Sequence, residues 1–518
     1  MKKIIFIAAC LAVIQSLNLH AQDIKTVKIE NGLLEGVTEA SGIHSFKGVP
    51  FAQPPVGDLR WKEPQPPKNW SGVRKADHFA PSAMQQHVYD DMIFRGEGKS
   101  EDCLYLNVWT PAKTTNDKLP VLVYFYGGGF TSGDGSEGRY DGESMAKRGI
   151  VSVTINYRLG IFGFFAHPEL TKESPHHSSG NYGLMDQHAA LVWVKKNIAA
   201  FGGDPDKITI AGESAGAASV CVQMATPLSK GLFRGAIAES GSAVGSLNPV
   251  PLAKVEQMGV DFAQKNGFKS LADLRKVSAE QLLTISSKGA HFPVTVDGYL
   301  LPEMPQAIFA TGKQMDVPLL VGWNSAEVDD HQFLGKDAPE TLDNYKKALQ
   351  QAYGARADEV LKAYPANNDA EVAKAATDLA ADRFIAYSTW KFIDLHSKTD
   401  GFPVYRYLFL RKRPVPISGS GYANPFGAVH ASEIDYALGN LSLNKAYPWT
   451  PEDYQVSETM ESFFANFIKT GNPNGAGLPT WYGLQSSIPK IMNIDVKSES
   501  IPEKNLKRYQ LLDTFYNP

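Results

Sequence analysis

The 518-residue chain is 43% hydrophobic and 20% charged, an ordinary globular composition, and a chain this long buries roughly three-quarters of its unfolded surface. Its formal net charge is −4, with no basic excess or long basic run, which argues against a nucleic-acid partner. Beyond the N-terminus no segment is apolar for long enough to be a membrane helix.

The N-terminus reads as a secretory signal over residues 1–21. Lys2 and Lys3 supply the positive region, residues 4–14 an apolar run of 11 residues, and Leu19-His20-Ala21 a cleavage site ending in a small residue. Such a run is too short to span a bilayer. Cys10, after Ile7-Ala8-Ala9, offers a lipidation site, but modification there would leave a very short apolar region, so a lipoprotein is not expected. Removing residues 1–21 takes away two lysines and no acid, moving the net charge from −4 to −6. The expected product is soluble and exported, secreted or periplasmic. Only Cys103 and Cys221 remain in it, read as buried, inert thiols rather than a disulfide.

Residues 25–60 read as short strands with turns, ending in a Pro- and Gly-rich stretch, FKGVPFAQPPVG, that forbids a long helix. Residues 62–100 are loop-rich. Strands are expected at 104–109, at 121–126 (stopped by Gly127-Gly128-Gly129) and at 150–156. A helix is expected over 182–198, from the spacing of Leu184, Ala189, Leu191, Val192, Val194 and Ile198. A strand at 207–211 runs into Gly212-Glu213-Ser214-Ala215-Gly216 and then a small-residue helical pattern over 215–224. Further strands are expected at 236–238, 319–322 and 404–409. Residues 252–285 and 340–398 are helix-rich insertions, 451–469 is a helix ending at Gly471, and a last helix lies near 504–515. Alternating buried strands and amphipathic helices predict an α/β fold with a mostly parallel sheet. With no repeat and no low-complexity linker, residues 22–518 read as one catalytic domain.

A serine between strand and helix in a G-x-S-x-G turn is held with its hydroxyl exposed, which makes Ser214 the candidate nucleophile. A hydroxyl needs a base to take its proton, and the base needs an acid to orient it. His430, in Gly427-Ala428-Val429-His430 after a strand and a glycine-rich loop, is the candidate base. The acid is open among Glu327, Asp329 and Asp330, which follow the 319–322 strand. Gly127-Gly128-Gly129 and the Ala215 N–H are placed to hold an oxyanion. His176-His177, in Ser-Pro-His-His-Ser-Ser, reads as a solvated turn rather than a metal site; no metal or cofactor is called for.

FKGVPFAQPPVGDLRW (46–61), EDCLYLNVW (101–109), YGGGF (126–130), NYRLG (156–160), the segment 180–205 and FGGDPDKITIAGESAG (201–216) together resemble the type B carboxylesterase family, which includes carboxylesterases, cholinesterases and related lipases. The resemblance covers nearly the whole chain after the signal. It implies an α/β-hydrolase fold, a large mostly parallel central sheet with helices on both faces and helical insertions. It implies Glu327 as the acid, five positions after Gly322, and His430 as the base in Gly-x-x-His-x-x-Glu. The implied function is a serine carboxylesterase with a Ser214–His430–Glu327 triad, an oxyanion hole of Gly128, Gly129 and Ala215, and a small ester as substrate. Glu213 would line the substrate gorge, acting electrostatically or as a structural hydrogen-bonder. Arg60–Glu101 and Arg158–Asp186 are implied scaffold ion pairs. Two departures stand out. Met84 occupies the place of the family's first cysteine, which leaves Cys103 free. Residues 84–103 also lack the tryptophan with which cholinesterases bind a quaternary ammonium, so a choline ester is not expected. A lipase, a plant-wall or polyester esterase, or a non-catalytic binding protein on the same fold are the competing readings. The sequence sets no oligomeric state.

Overall fold

A computed structural model describes residues 24–89, 91–399, 401–419, 424–485 and 490–516; the expected signal segment, with Cys10, lies outside the described residues. The central sheet is built from β1 (Val37–Thr38), β2 (His44–Pro50), β3 (Tyr105–Thr110), β4 (Leu119–Phe125), β5 (Val151–Ile155), β6 (Gly203–Glu213), β7 (Gly235–Glu239), β8 (Leu319–Asn324), β9 (Val404–Phe409), β10 (Lys490–Ile494) and β11 (Glu499–Pro502). Their spatial order is β11-β10-β9-β8-β7-β6-β4-β5-β3-β2-β1. Every neighbouring pair from β5 across to β10 is parallel, and antiparallel strands close both edges. Helices cover both faces, so the central strands are shielded on both sides: β5 and β7 are buried at every residue, Glu239 included. The α/β expectation holds.

The register decides where the site lies. Gly212 of β6 stands beside Phe125 of β4 and Ala238 of β7, and Glu239 of β7 beside Gly322 of β8. The carboxyl ends of these strands are therefore level, and the loops leaving them meet at one edge, where open α/β sheets bind ligands.

β6 is longer than the expected 207–211. Gly203 pairs with Leu119 and the ladder resumes only at Ile208, so Asp204-Pro205-Asp206-Lys207 form an irregularity within one strand. The two C-terminal strands, β10 and β11, were not expected from sequence. The expected helix over 182–198 is α1 (Tyr182–Asn197), and the one after the serine is α2 (Ala215–Ala225). The insertion at 252–285 forms Leu252–Lys265, Leu271–Lys276 and Ala279–Ser286. The insertion at 340–398 ends in α3 (Asp369–Ala381) and α4 (Tyr387–His396). Near the C-terminus, α5 (Pro451–Thr470) starts in a capping box between Thr450 and Asp453, worth about 1 kcal/mol, and stops at Gly471 in the left-handed conformation. One apolar cluster runs through the molecule from Ile24 to Leu512.

Candidate active site

Ser214 sits between β6 and α2 with φ 54° and ψ −118°, a conformation that costs an L-residue about 1–3 kcal/mol. Backbone bonds on both sides hold it: Ser214 N–H donates to Glu239 O at 2.8 Å, and its carbonyl accepts from Ala218 N–H at 2.9 Å. The turn is tight enough that a Cβ on Gly216 would collide with the Phe125 carbonyl of β4. The strained turn leaves the serine partly exposed while its neighbours on both sides are buried.

Two loops bring the other expected residues to it. Glu327 lies on the loop after β8, and His430 on a loop that binds it through His430 N–H to Glu327 O at 3.0 Å. His430 Nε2 is 2.9 Å from Ser214 Oγ, and Nδ1 is 2.7 Å from Glu327 Oε2. The other Glu327 oxygen accepts from Asn324 N–H at 2.6 Å and Ser240 Oγ–H at 2.7 Å. The two alternative acids point elsewhere. Asp329 accepts from Gln332 N–H at 3.2 Å, and Asp330 groups with His331 and Glu340.

Glu213 Oε1 lies 3.3 Å from His430 Nε2 and has no hydrogen-bond partner among the described residues. Behind the site lie two more buried carboxyls. Glu433 accepts from Asn324 Nδ2 at 2.5 Å and lies 3.2 Å from Ser240 Oγ, and Glu239 accepts from Tyr124 O–H at 3.0 Å. Burial raises Glu213 to about 8, helped by Glu433 and Glu327 and opposed by His430. Burial and the neighbouring Glu327 raise Glu433 to about 7, and burial with Glu433 lifts Glu239 well above the carboxylate range. Burial also disfavours a charged His430, but Glu213, Glu327 and Glu433 outweigh it and raise the imidazole to about 10.

The glycine loop after β4 faces the serine. Gly128 has φ 103° and Gly129 φ 62°, and a Cβ on Gly128 would collide with the Ser132 carbonyl. The N–H groups of Gly128, Gly129 and Ala215 donate to no protein acceptor among the described residues. The Ala215 N–H also opens the 11-residue helix α2, whose positive dipole end favours negative charge.

Sequence reasoning missed several residues here. Ser240, Asn324 and Glu239 brace the acid or its surroundings, and a buried acid such as Glu239 carries no local signal that separates it from a solvated one. Tyr89 lies over the glycine loop, its hydroxyl 3.8 Å from where a Gly129 Cβ would stand. Phe384 meets His430 edge-on, ring centroids 5.0 Å apart.

The implied scaffold pairs form. Arg60 grips Glu101 through two bonds of 2.6 Å, and Arg158 grips buried Asp186 at 2.7 and 2.8 Å. Cys103 and Cys221 are buried and unbridged, and burial pushes both thiols up, Cys221 to about 12. Met84 and Cys103 line the same small cavity.

The sequence model described as "Carboxylesterase family" matches residues 23–511. Fumonisin B1 esterase of Sphingopyxis macrogoltabida is 38% identical over 481 residues, covering 87% of this chain and 83% of that one. Para-nitrobenzyl esterase of Bacillus subtilis (strain 168) is 35% identical over 516 residues, covering 94% and 98%. Liver carboxylesterase 1 of Oryctolagus cuniculus is 34% identical, covering 86% and 84%. A solved PNB esterase superposes with a TM-score of 0.80 at 32% identity, over 95% of this chain and 99% of that one.

Proposed function

The chain belongs to the carboxylesterase family and is a carboxylic ester hydrolase, and from that premise we propose that it works through a Ser214–His430–Glu327 triad. His430 Nε2 takes the Ser214 proton as Oγ attacks the ester carbonyl. The N–H groups of Gly128, Gly129 and Ala215 hold the developing oxyanion. The C–O bond to the alcohol then breaks, and the alkoxide leaves as neutral alcohol with the proton from His430. Water, deprotonated by the same imidazole, attacks the acyl-enzyme, and Ser214 regains its proton as the acid departs. Glu327 carries the negative charge that orients His430 and supports its imidazolium form. Glu213 tunes that imidazole through its field.

The observation that carries this reading is the relay of 2.9 and 2.7 Å from Ser214 through His430 to Glu327. All three positions are filled, which sets the non-catalytic reading aside. The substrate is a small ester. The names of relatives span fumonisin B1, para-nitrobenzyl and cocaine esterases, so the family leaves the ester itself open. We further propose that residues 22–518 act as one catalytic domain and that the chain is exported with residues 1–21 removed. Among the described residues no helix is long and apolar enough to cross a membrane.

The test is turnover of p-nitrophenyl esters by Ser214→Ala. Activity falls to the background of the uncatalysed reaction while the circular dichroism spectrum stays that of the parent; substantial retained turnover refutes the nucleophile assignment.

A further inference from the structure

Phe384 is the one exposed side chain between residues 375 and 397, a stretch otherwise buried or half-buried. It is 40% exposed. It lies where α3 passes into α4 through the five residues Asp382–Ala386, which form a π-helix: the Tyr387 N–H reaches five residues back to the Asp382 carbonyl. A π segment adds a residue to the helical register and turns its side chains off the face that regular α-helix would give them. Such segments cluster at functional sites.

The neighbours of Phe384 are clamped. The Asp382 carboxylate accepts from the Tyr364 hydroxyl and from Arg508 Nε, each at 2.8 Å. The Arg383 guanidinium lies over the rings of Phe333 and Tyr353, at 5.3 and 5.6 Å. The Ile385 carbonyl accepts the hydroxyls of Ser388 and Thr389, each at 2.9 Å. The Phe384 ring itself stands at 82° to the His430 imidazole, centroids 5.0 Å apart, with one side open.

The direction of departure gives this ring a role. The leaving oxygen must come within hydrogen-bond reach of His430 Nε2, because that is the proton it takes. The carbonyl oxygen points the other way, toward Gly128 and Gly129. The group carried by the leaving oxygen therefore lies along the imidazole, where Phe384 offers an apolar edge and face. An aromatic ring there favours another ring or a bulky apolar group through area and edge-to-face geometry.

We propose that Phe384 determines specificity for the alcohol half of the ester, and that the preferred substrates are esters of aromatic or bulky apolar alcohols. The inference rests on the triad reading above. The experiment compares kcat/KM for ethyl, cyclohexyl and benzyl acetate, and for p-nitrophenyl acetate, butyrate and hexanoate, in the parent, Phe384→Ala, Phe384→Leu and Phe384→Tyr. Active enzyme is counted by phosphonate titration, so incomplete folding does not enter the rates. The benzyl-to-ethyl ratio falls about tenfold in Phe384→Ala, less in Phe384→Leu, and returns in Phe384→Tyr, while the ratios along the acyl series hold. A benzyl-to-ethyl ratio equal to the parent's in Phe384→Ala overturns the proposal, and so does a loss that falls on the acyl series. Failure of the triad reading shows separately, as turnover surviving Ser214→Ala.

Discussion

Ser214 and Phe384 both meet His430, one by a hydrogen bond of 2.9 Å and the other by a ring edge at 5.0 Å, and they are held there by opposite means. Ser214 is placed by the parallel sheet. Its backbone is strained and tied to β7, α2 packs directly behind it, and the acid loop leaves the neighbouring end of β8. Phe384 is placed by an irregularity in a helical insertion, and its side chain stays open. The chemistry thus rests on groups with almost no freedom to move, while the choice of ester rests on a residue whose substitution changes a surface rather than a core. The comparison implies that damage on the sheet side lowers rates for every ester, whereas damage on the helical side redistributes them.

The harshest way to break this contrast is Glu327→Gln. The amide leaves the shape but removes the charge and fixes the wrong imidazole tautomer, and kcat is expected to fall by about 10³- to 10⁴-fold for every ester alike. If Asp329→Asn or Asp330→Asn produces that loss instead, the acid is misassigned. Ser240→Ala removes one of the two further hydrogen bonds to Glu327 and should cost about tenfold in kcat, with KM little changed. A rise in KM without loss of kcat would place Ser240 with the substrate rather than behind the acid. Glu213→Gln sharpens the electrostatic side. His430 is raised above its ordinary 6.5 to about 10 against its own burial, with Glu213 foremost among the groups raising it. Catalysis needs the neutral imidazole, so removing that carboxyl lowers the pKa of His430 and moves the acid limb of the kcat/KM profile to lower pH. A limb that stays in place, or moves up, contradicts the field assigned to Glu213. The smallest effect is on thiols. In the chain lacking residues 1–21, no thiol reacts with a disulfide reagent in the native state, and two react after denaturation without reductant; none after denaturation would mean a bridge.

Legibility followed locality. The Ser214 turn could be read from sixteen consecutive residues because strand, glycines, serine and helix are all encoded next to one another. The acid could not be read from the residues alone, since Glu327, Asp329 and Asp330 lie on one loop and only long-range contacts separate them: His430 N–H binds the Glu327 carbonyl, and Asn324 N–H binds its carboxylate. The family resemblance pointed to Glu327, and the geometry joins it to His430. Strand ends drifted where pairing extends past the apolar run, as at Gly203 of β6. Glu239 and Glu433 had no readable burial, because a charge in sequence looks solvated until the fold closes around it. Phe384 was illegible for a different reason: nothing in a helix-rich stretch marks the residue at which the α-helix gives way to a π segment.

The central claim is that Ser214 is the nucleophile activated by His430. The most direct measurement is peptide mapping by mass spectrometry after reaction with an alkyl p-nitrophenyl phosphonate, in the parent and in His430→Ala. The account predicts one phosphonyl group, on Ser214, forming in step with loss of activity, and labelling that slows by orders of magnitude in His430→Ala. A label on any other residue, or activity lost while Ser214 stays unmodified, would contradict it.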